Sequence, residues 1–506
     1  MSSPVVDANP LEAVDEDGPA PPISVPDVGE GGGEGDKLKM IVQLVKKSFG
    51  VKDIFARRLS LPASLMDPIP NLEYWHYLDR PDMFVAINDF DDPFERILAL
   101  VRFTFTKDLK FLRGKVGKPY NSVLGEHFRA HWDVVPSKSP LESTLVPPAS
   151  PSMETDSVKS GRSSKSIRSA ISSFSKPGKS PSTAATSLEV PSADVSQLSL
   201  AHSNEHVRVI YLTEQVSHHP PVSAYYAACP SRSIEMYGID QISARISGTA
   251  LRVSSGSFNK GIYVNITGGP GAGEEYKITH PVAFVNGLLR GSVYVTVSES
   301  TIISCTRSGG KQRFRAIIEY KEESWLGRAH YLLEGVIHTV VEGETQHNEW
   351  TKVKHVPQTR VVAIFDGTWR GRIRWPSSSR MDISAAKEGD WSTLIDLSTL
   401  EVLPKRVRPL EKQLPRESKR LWENVTSKLL RKEFSDATKE KVVIEQRQRD
   451  EAAERKRKGQ QFVPRYFEQD MDKGHSALTA AGRHAVEEEL QEPSQYDIED
   501  TDKTAA

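Results

Sequence analysis

Between residues 206 and 375 apolar side chains return at every second position, in short runs. Val207, Val209 and Tyr211 alternate with Arg208; Val293, Val295 and Val297 share one side of their segment; Phe314, Ala316, Ile318 and Tyr320 share one side of theirs. A period of two marks a strand with one buried face. The runs are separated by Ser255-Gly256, Gly268-Gly269-Pro270-Gly271, Ser308-Gly309-Gly310 and Asp366-Gly367, turn-forming residues at hairpin spacing. Many short strands joined this way build an antiparallel sandwich or barrel. No other feature of the chain restricts its fold as much.

The flanks read differently. Over 61–112, Leu72, Trp75 and Leu78 follow the breaks at Leu61-Pro62 and Asp67-Pro68, and Phe94, Ile97, Leu98 and Val101 mark an apolar helix face. Residues 405–458 are helical and basic, with a helix start expected near Ser435 or Asp436, residue types that cap a first turn. Leu38, Ile41, Val42 and Val45 recur at helical spacing among Lys37, Lys39, Lys46 and Lys47. That pattern serves a packed helix or a basic amphipathic helix on an anionic bilayer. Residues 137–204 are rich in Ser, Pro, Thr and Lys without a period, and read as a disordered insertion.

Charge is segregated. The net charge is −1, yet residues 1–36 carry nine acids and no Lys or Arg, and 485–506 carry eight acids against Lys503. That leaves +15 on 37–484. A disordered acidic tail at 1–36 and an acidic tail at 471–506 around a basic body suit a phosphate-bearing partner. A membrane surface fits better than nucleic acid, for which no readout motif accompanies the basic helices. Two cysteines, Cys229 and Cys305, and the lack of a signal-like segment indicate a cytosolic chain. No run approaches the roughly eighteen apolar residues of a spanning helix. Neither a Gly-x-Ser-x-Gly elbow nor a Cys-x5-Arg loop is present, so an enzyme is not expected.

Glu214-Gln215-Val216-Ser217-His218-His219-Pro220-Pro221 ends the first strand of the region. Pro220 biases His219 toward an extended conformation, and Pro221 has no N–H to donate. Two imidazoles at a stiff strand end can donate two hydrogen bonds and carry charge near neutral pH, which suits an anion. A structural turn or half of a metal site would use the same residues. Zinc takes three or four ligands, however, and neither cysteine clusters with the pair, so no metal is expected. Upstream, Lys118-Pro119-Tyr120-Asn121-Ser122-Val123-Leu124-Gly125-Glu126 places an amine and a carboxamide near a turn. Downstream, Lys441, Glu445 and Arg449 stand at i, i+4 and i+8 on one helix face, as an ion-pair ladder or as part of a site.

Together these stretches resemble the oxysterol-binding protein family of lipid-transfer proteins. Glu214–Pro221 is similar to the family signature. Lys118–Glu126 is similar to its Lys-Pro-x-Asn-Pro-x-Leu-Gly-Glu motif, with Ser122 where proline is usual, and Lys441-x-x-x-Glu445-x-x-x-Arg449 to its late helix. Arg408–Glu411, Glu417–Trp422 and Gln460–Phe467 are also family-like, and the resemblance spans roughly 50–136 and 206–468. It implies a mainly β fold with α, an incomplete many-stranded antiparallel β-barrel enclosing a lipid tunnel. An N-terminal lid within 37–60 would use Leu38, Ile41, Val42 and Val45, and C-terminal helices would occupy 405–468. Lys118, Asn121, His218, His219, Lys441, Glu445 and Arg449 would hold a phosphoinositide head group. The implied cargo is phosphatidylinositol 4-phosphate, exchanged without a cofactor for a sterol or phosphatidylserine. A lipid-occupancy sensor would use the same residues. A short member carrying only the lipid-binding domain, 37–470, is expected in the cytoplasm. There it would dock peripherally on anionic membranes at endoplasmic reticulum, Golgi or plasma-membrane contacts.

Overall fold

The computed structural model describes residues 40–54 (except 41, 45 and 49), 63–113, 118–137, 206–288, 293–323, 329–376 and 391–494. It also describes Ile23–Ser24 and Leu59–Ser60, which pair in parallel. Leu38, Ile41 and Val45, and the insertion expected at 137–204 from its second residue on, lie outside the described residues.

The strands, in chain order, are β1 (His127–Val134), β2 (Val207–His218), β3 (Pro221–Cys229), β4 (Ile234–Asp240), β5 (Ile242–Ser247), β6 (Ala250–Ser255), β7 (Ile262–Ile266) and β8 (Glu274–Ile278). They continue as β9 (Val282–Asn286), β10 (Tyr294–Ser298), β11 (Ser300–Ser308), β12 (Arg313–Tyr320), β13 (Leu332–Val340), β14 (Val361–Thr368), β15 (Arg372–Pro376) and β16 (Trp391–Asp396). Twelve form one antiparallel sheet in the order β16-β15-β14-β13-β12-β11-β8-β7-β4-β3-β2-β1. The other four form a second sheet, β10-β9-β6-β5. β1 and β16 do not pair with each other, so the large sheet is an incomplete barrel with two edges. The β1 edge is covered: His127 N–H donates to Arg416 O, and His131 exchanges backbone hydrogen bonds of 3.0 and 2.8 Å with Arg406. Covering an edge removes the open row of N–H and C=O groups that would template aggregation. Strand content thus begins before the 206–375 region and runs past it.

The helices that matter to the site are α1 (Asn71–Tyr74), α2 (Pro81–Val85), α3 (Pro93–Thr106), α4 (Glu423–Leu430), α5 (Phe434–Lys458) and α6 (Ala480–Leu490). Asp92 caps α3 by accepting from Phe94 N–H at 2.9 Å, with Pro93 in the first turn, where its missing N–H costs nothing. The expected apolar face of α3 is an underestimate, because every residue from Arg96 to Thr106 is buried. One core cluster joins α3 to strands from β1 through β16, so the large sheet wraps round the helix. Phe94 meets Phe314, and Phe105 meets Phe365, edge to face. Burying Arg96 on such a helix demands a partner. Glu274 on β8 supplies it through both carboxylate oxygens, one of which also accepts from Tyr276 OH at 2.7 Å.

Two expectations need correction. α5 begins at Phe434, ahead of Ser435 and Asp436, and neither of those residues caps it. Residues 471–494, read as the start of an acidic tail, are packed. Met471 and Ala485 are buried beside Tyr466 and Phe467, and α6 lies on β1 and β2. The acids there are partners for buried bases: Glu488 for Arg129 at 2.6 Å, and Glu489 for His131 at 2.7 Å. Average composition hid Met471, Leu478, Ala485 and Val486, the residues that make the contact.

Replacing Glu274 with Ala leaves the Arg96 guanidinium buried and unpaired, and is expected to cost about 3–5 kcal/mol in urea unfolding. The double change Arg96→Met with Glu274→Leu should recover most of that loss. A single-variant loss below about 1 kcal/mol would show that this pair does not fasten the helix to the sheet.

Candidate functional site at the mouth of an internal cavity

The wrapped sheet is not filled. A cavity of ≈ 1360 Å³ lies between α3, the four-stranded sheet and α5. That exceeds the roughly 300–1,000 Å³ of pockets for drug-sized ligands. Its wall is largely aliphatic: Leu251, Val253, Val285, Val293, Val295 and Val297 all face it, joined by Trp75, Phe111 and Trp369. The alternation at 293–297 therefore marks a cavity wall.

Three elements bring polar groups to the mouth. The first is the loop Lys118–Glu126. Its start is tied to the chain before α1, by Asp67 N–H to Lys118 O and Tyr120 N–H to Ile69 O, and the Tyr120 ring lies 4.9 Å from that of Trp422. Gly125 adopts φ +77° beneath the Phe462 ring, where a Cβ would sit 3.2 Å from a ring carbon; both facts favour glycine. The loop ends on Glu126, wholly buried, which accepts from Val123 N–H, Ser418 Oγ and Trp422 Nε1 at 3.0, 2.7 and 3.0 Å. Burial pushes this carboxyl up to about 7 against those three donors. Arg416 adds a bond to Leu124 O and an ion pair with Glu451 of α5, each at 2.6 Å.

The second element is the β2–β3 turn. β2 runs to His218, which pairs with Pro221, and the two imidazole centroids stand 4.5 Å apart. Both rings line the cavity. Among the described residues no group of three or more His, Cys, Asp or Glu is placed to hold a metal.

The third is α5, which presents Val442, Glu445, Gln448, Arg449 and Lys456 to the cavity. Lys441 is buried behind this row, its Nζ 2.5 Å from Glu445 Oε1. Arg449 folds back on the neutral Gln446 Oε1, with bonds of 3.0 and 2.8 Å. Lys118 Nζ donates to Asn121 Oδ1 at 2.6 Å, and both residues line the cavity. Burial, then the nearby Lys441, pulls the Lys118 ammonium down to about 8. Lys118, Asn121, His218, His219, Glu445 and Arg449 therefore converge on one cavity, with Lys441 one layer behind. The acid of this row, Glu445, is engaged by Lys441, so Lys118 and Arg449 bring positive charge to the mouth, where Asp67 also lines the cavity. An oxyanion is the chemical complement of that arrangement.

The N-terminal segment closes one side. It is helical over 40–47 where described; Leu44, Ser48 and Ile54 line the cavity, and Leu44 packs with Val123 and Ile444. Val42, expected as a lid contact, is half-buried and does not line the cavity. Ile54 N–H donates to Ala244 O, and Asp53 accepts from Ala244 N–H, pinning the segment to edge strand β5.

Sequence reasoning missed a second polar cluster lining the cavity. Tyr77 OH donates to Asp240 Oδ1 at 2.7 Å, Lys107 pairs with Asp108 and sits over the Tyr77 ring, and the His280 ring lies 5.5 Å from that ring. All five residues line the cavity. Burial pushes Asp240 up to about 7 and His280 down to about 3. Asp108 stays below the usual carboxylate range, because Lys107 and Lys110 outweigh its burial. These groups come from four unrelated segments, and a charged residue at the end of an apolar run was the only sequence signal.

Comparison with known proteins agrees with this architecture. The oxysterol-binding protein family model matches residues 40–492. Oxysterol-binding protein-like protein 1 of Schizosaccharomyces pombe is 37% identical over 97% of this chain and 96% of its own length. Human oxysterol-binding protein-related protein 11 is 28% identical over 82% of this chain, which spans 46% of that longer protein. Among solved structures, the Osh1 ORD domain in complex with cholesterol superposes with a TM-score of 0.55 at 17% identity, covering 89% of each chain. The Osh3 ORD in complex with PI(4)P from Saccharomyces cerevisiae gives 0.53 at 14% identity, covering 90% of this chain and 94% of that one.

Because the Lys118 ammonium is held near 8, its charge is lost as the pH rises through that value, and anion binding at the mouth should weaken with it. Calorimetric titration with sulfate, whose own charge is constant here, should show affinity falling several-fold between pH 7 and pH 9. Lys118→Arg, which stays charged, should flatten the profile. An unchanged wild-type affinity over that range would remove Lys118 from the site.

Proposed function

The chain belongs to the oxysterol-binding protein family, and from that premise we propose that it carries lipids between membranes, exchanging phosphatidylinositol 4-phosphate for a sterol. The observation that carries the reading is the convergence of Lys118, Arg449 and the two imidazoles on one ≈ 1360 Å³ largely apolar cavity. A lipid in water costs about 0.8 kcal/mol per exposed methylene. The cavity removes that penalty in transit without favouring either membrane, whose interior is equally apolar. Selectivity then falls to the polar groups. Arg449 offers a fork to a phosphate, Lys118 a point charge, and Asn121 and Glu445, the latter held by Lys441 behind it, reach inositol hydroxyls.

For the counter-ligand, the second polar cluster favours a sterol over phosphatidylserine. A sterol brings a hydroxyl that can donate to Asp108 Oδ1, which is buried without a partner, whereas the methyl ends of two acyl chains would leave that oxygen unsatisfied. Two such ligands in one cavity exclude each other, so a gradient of one can drive the other. We assign carriage and not turnover to the site, in a cytoplasmic protein that docks on anionic membranes. Arg455–Lys458 at the end of α5, beside the mouth, and the exposed Val443 supply the docking chemistry. No helix among the described residues is long and apolar enough to cross a membrane.

Transfer between donor and acceptor liposomes tests the reading. The full chain should move phosphatidylinositol 4-phosphate one way and a fluorescent sterol the other, each accelerated by the opposing gradient. The double variant His218→Ala/His219→Ala should lose phosphoinositide transfer by at least tenfold while keeping its unfolding temperature and its sterol binding. Undiminished phosphoinositide transfer by that variant would sink the headgroup assignment, and binding without transfer would make the protein a sensor.

A further inference from the structure

α5 turns Glu445, Gln448, Arg449 and Ala452 toward the cavity, at i, i+3, i+4 and i+7. Gln448 is 7% exposed, and its carboxamide is half engaged: Leu124 N–H donates to Oε1 at 2.9 Å. A backbone N–H can only donate, so the atom facing it must be the oxygen, and the amide orientation is fixed. Nε2 is then turned away from the loop with two protons to donate, and it is buried without a partner. Ser48 Oγ on the N-terminal segment and Ser122 Oγ on the Lys118–Glu126 loop are also buried and unpartnered, on residues that line the same cavity. Leu44, Val123 and Ile444, which lie four, one and four residues from Ser48, Ser122 and Gln448, pack in one cluster. Buried polar groups are almost always satisfied. Unpartnered hydroxyls and a donor-only amide on three elements around one mouth describe a place where a ligand completes the hydrogen bonds.

We infer that Gln448 is a ligand-binding residue whose Nε2 donates to a phosphate oxygen of the lipid at the mouth, while its Oε1 holds the Lys118–Glu126 loop against α5. This rests on the reading that a phosphoinositide head group occupies the mouth. The same side chain thereby couples the two halves of the site, since a ligand drawn to Nε2 tightens the residue that positions Lys118 and Asn121. Ser122 stands where the family motif has proline, and it adds a hydroxyl to this tier.

Gln448→Glu separates the two roles. It keeps an oxygen for Leu124 N–H and replaces the donor with a charged acceptor facing the phosphate. Extraction of phosphatidylinositol 4-phosphate from liposomes by the full chain at pH 7.5 should fall at least tenfold, with sterol extraction within twofold of wild type. Lowering the pH until the new carboxyl protonates restores a donor and should recover part of the loss relative to wild type. Gln448→Met, which has neither oxygen nor donor, should show no such recovery. Glycerophosphoinositol 4-phosphate, the head group without its tails, should rank the variants in the same order by calorimetry. Phosphoinositide extraction by Gln448→Glu within twofold of wild type overturns the assignment. Equal loss of phosphoinositide and sterol also overturns it, leaving only the loop tether. A wild-type chain that extracts sterol but no phosphoinositide overturns the head-group reading itself.

Discussion

One buried carboxyl holds the mouth of the cavity in register. Glu126 collects donors from its own loop, from Ser418 and from Trp422, across nearly three hundred residues of sequence. Lys118 and Asn121 are therefore placed by the C-terminal half of the chain as much as by their own turn. A carboxyl raised from 4.5 to about 7 binds a proton more tightly in the folded chain. Its linked contribution to stability is greatest below about 4.5 and declines as the pH climbs to 7. The three donors limit that decline by solvating the charge once it forms. Tyr120 against Trp422 and Arg416 against Glu451 repeat the same junction with apolar and ionic contacts.

The second constraint is that a sheet of twelve strands must stay wrapped without collapsing on itself. α3 occupies one part of the interior, and its buried Arg96–Glu274 pair fixes it to β8. The four-stranded sheet and the N-terminal segment enclose the remainder from outside the large sheet's hydrogen-bond ladder. With β1 and β16 left unpaired, closure comes from Arg406 and Arg416 covering the β1 edge, and from α6 lying over β1 and β2. Glu489 of α6 is buried against His131, while the exposed Glu488 gives the buried Arg129 guanidinium its partner. These pairs fix where the helix sits.

What could be read from the sequence was local. The strand that stops at His218, the hairpin punctuation, the α3 apolar face and the single face shared by Lys441, Glu445 and Arg449 are each contained within one element, where periodicity and turn chemistry suffice. What escaped depends on long-range juxtaposition. Lys107, Asp108, Asp240 and His280 come from a helix end, a strand end and a turn, and nothing in their spacing announces that they share a cavity. Gln448 looks like any polar helix residue until Leu124 N–H orients its amide. The segment at 471–494 looked like a solvated tail because its acids are clustered and half of its apolar residues are alanine, and the buried Arg129 and His131 account for two of those acids. Alternation along β10 also could not tell an empty interior from a filled one, since a cavity wall and a packed core demand the same face.

The distribution of polar groups decides what such a cavity can discriminate. At the mouth, Glu445 is engaged by Lys441, and Lys118 and Arg449 are hydrogen-bonded to the neutral Asn121 and Gln446, so on the proposed reading an anionic head group gains attraction at the entrance. In the second cluster Lys107 and Asp108 pair with each other, and burial pushes Asp240 up to about 7, so that part of the wall is polar with little net charge. On the proposed reading, a phosphorylated lipid is selected by charge and a sterol by hydrogen bonding, at two polar clusters lining one largely apolar volume. Neither cluster needs to know which ligand the other prefers. Mutual exclusion follows from volume alone, because whichever ligand enters fills the wall that the second would need. Coupling between the two cargoes then requires no conformational relay through the sheet, only a cavity too small for both.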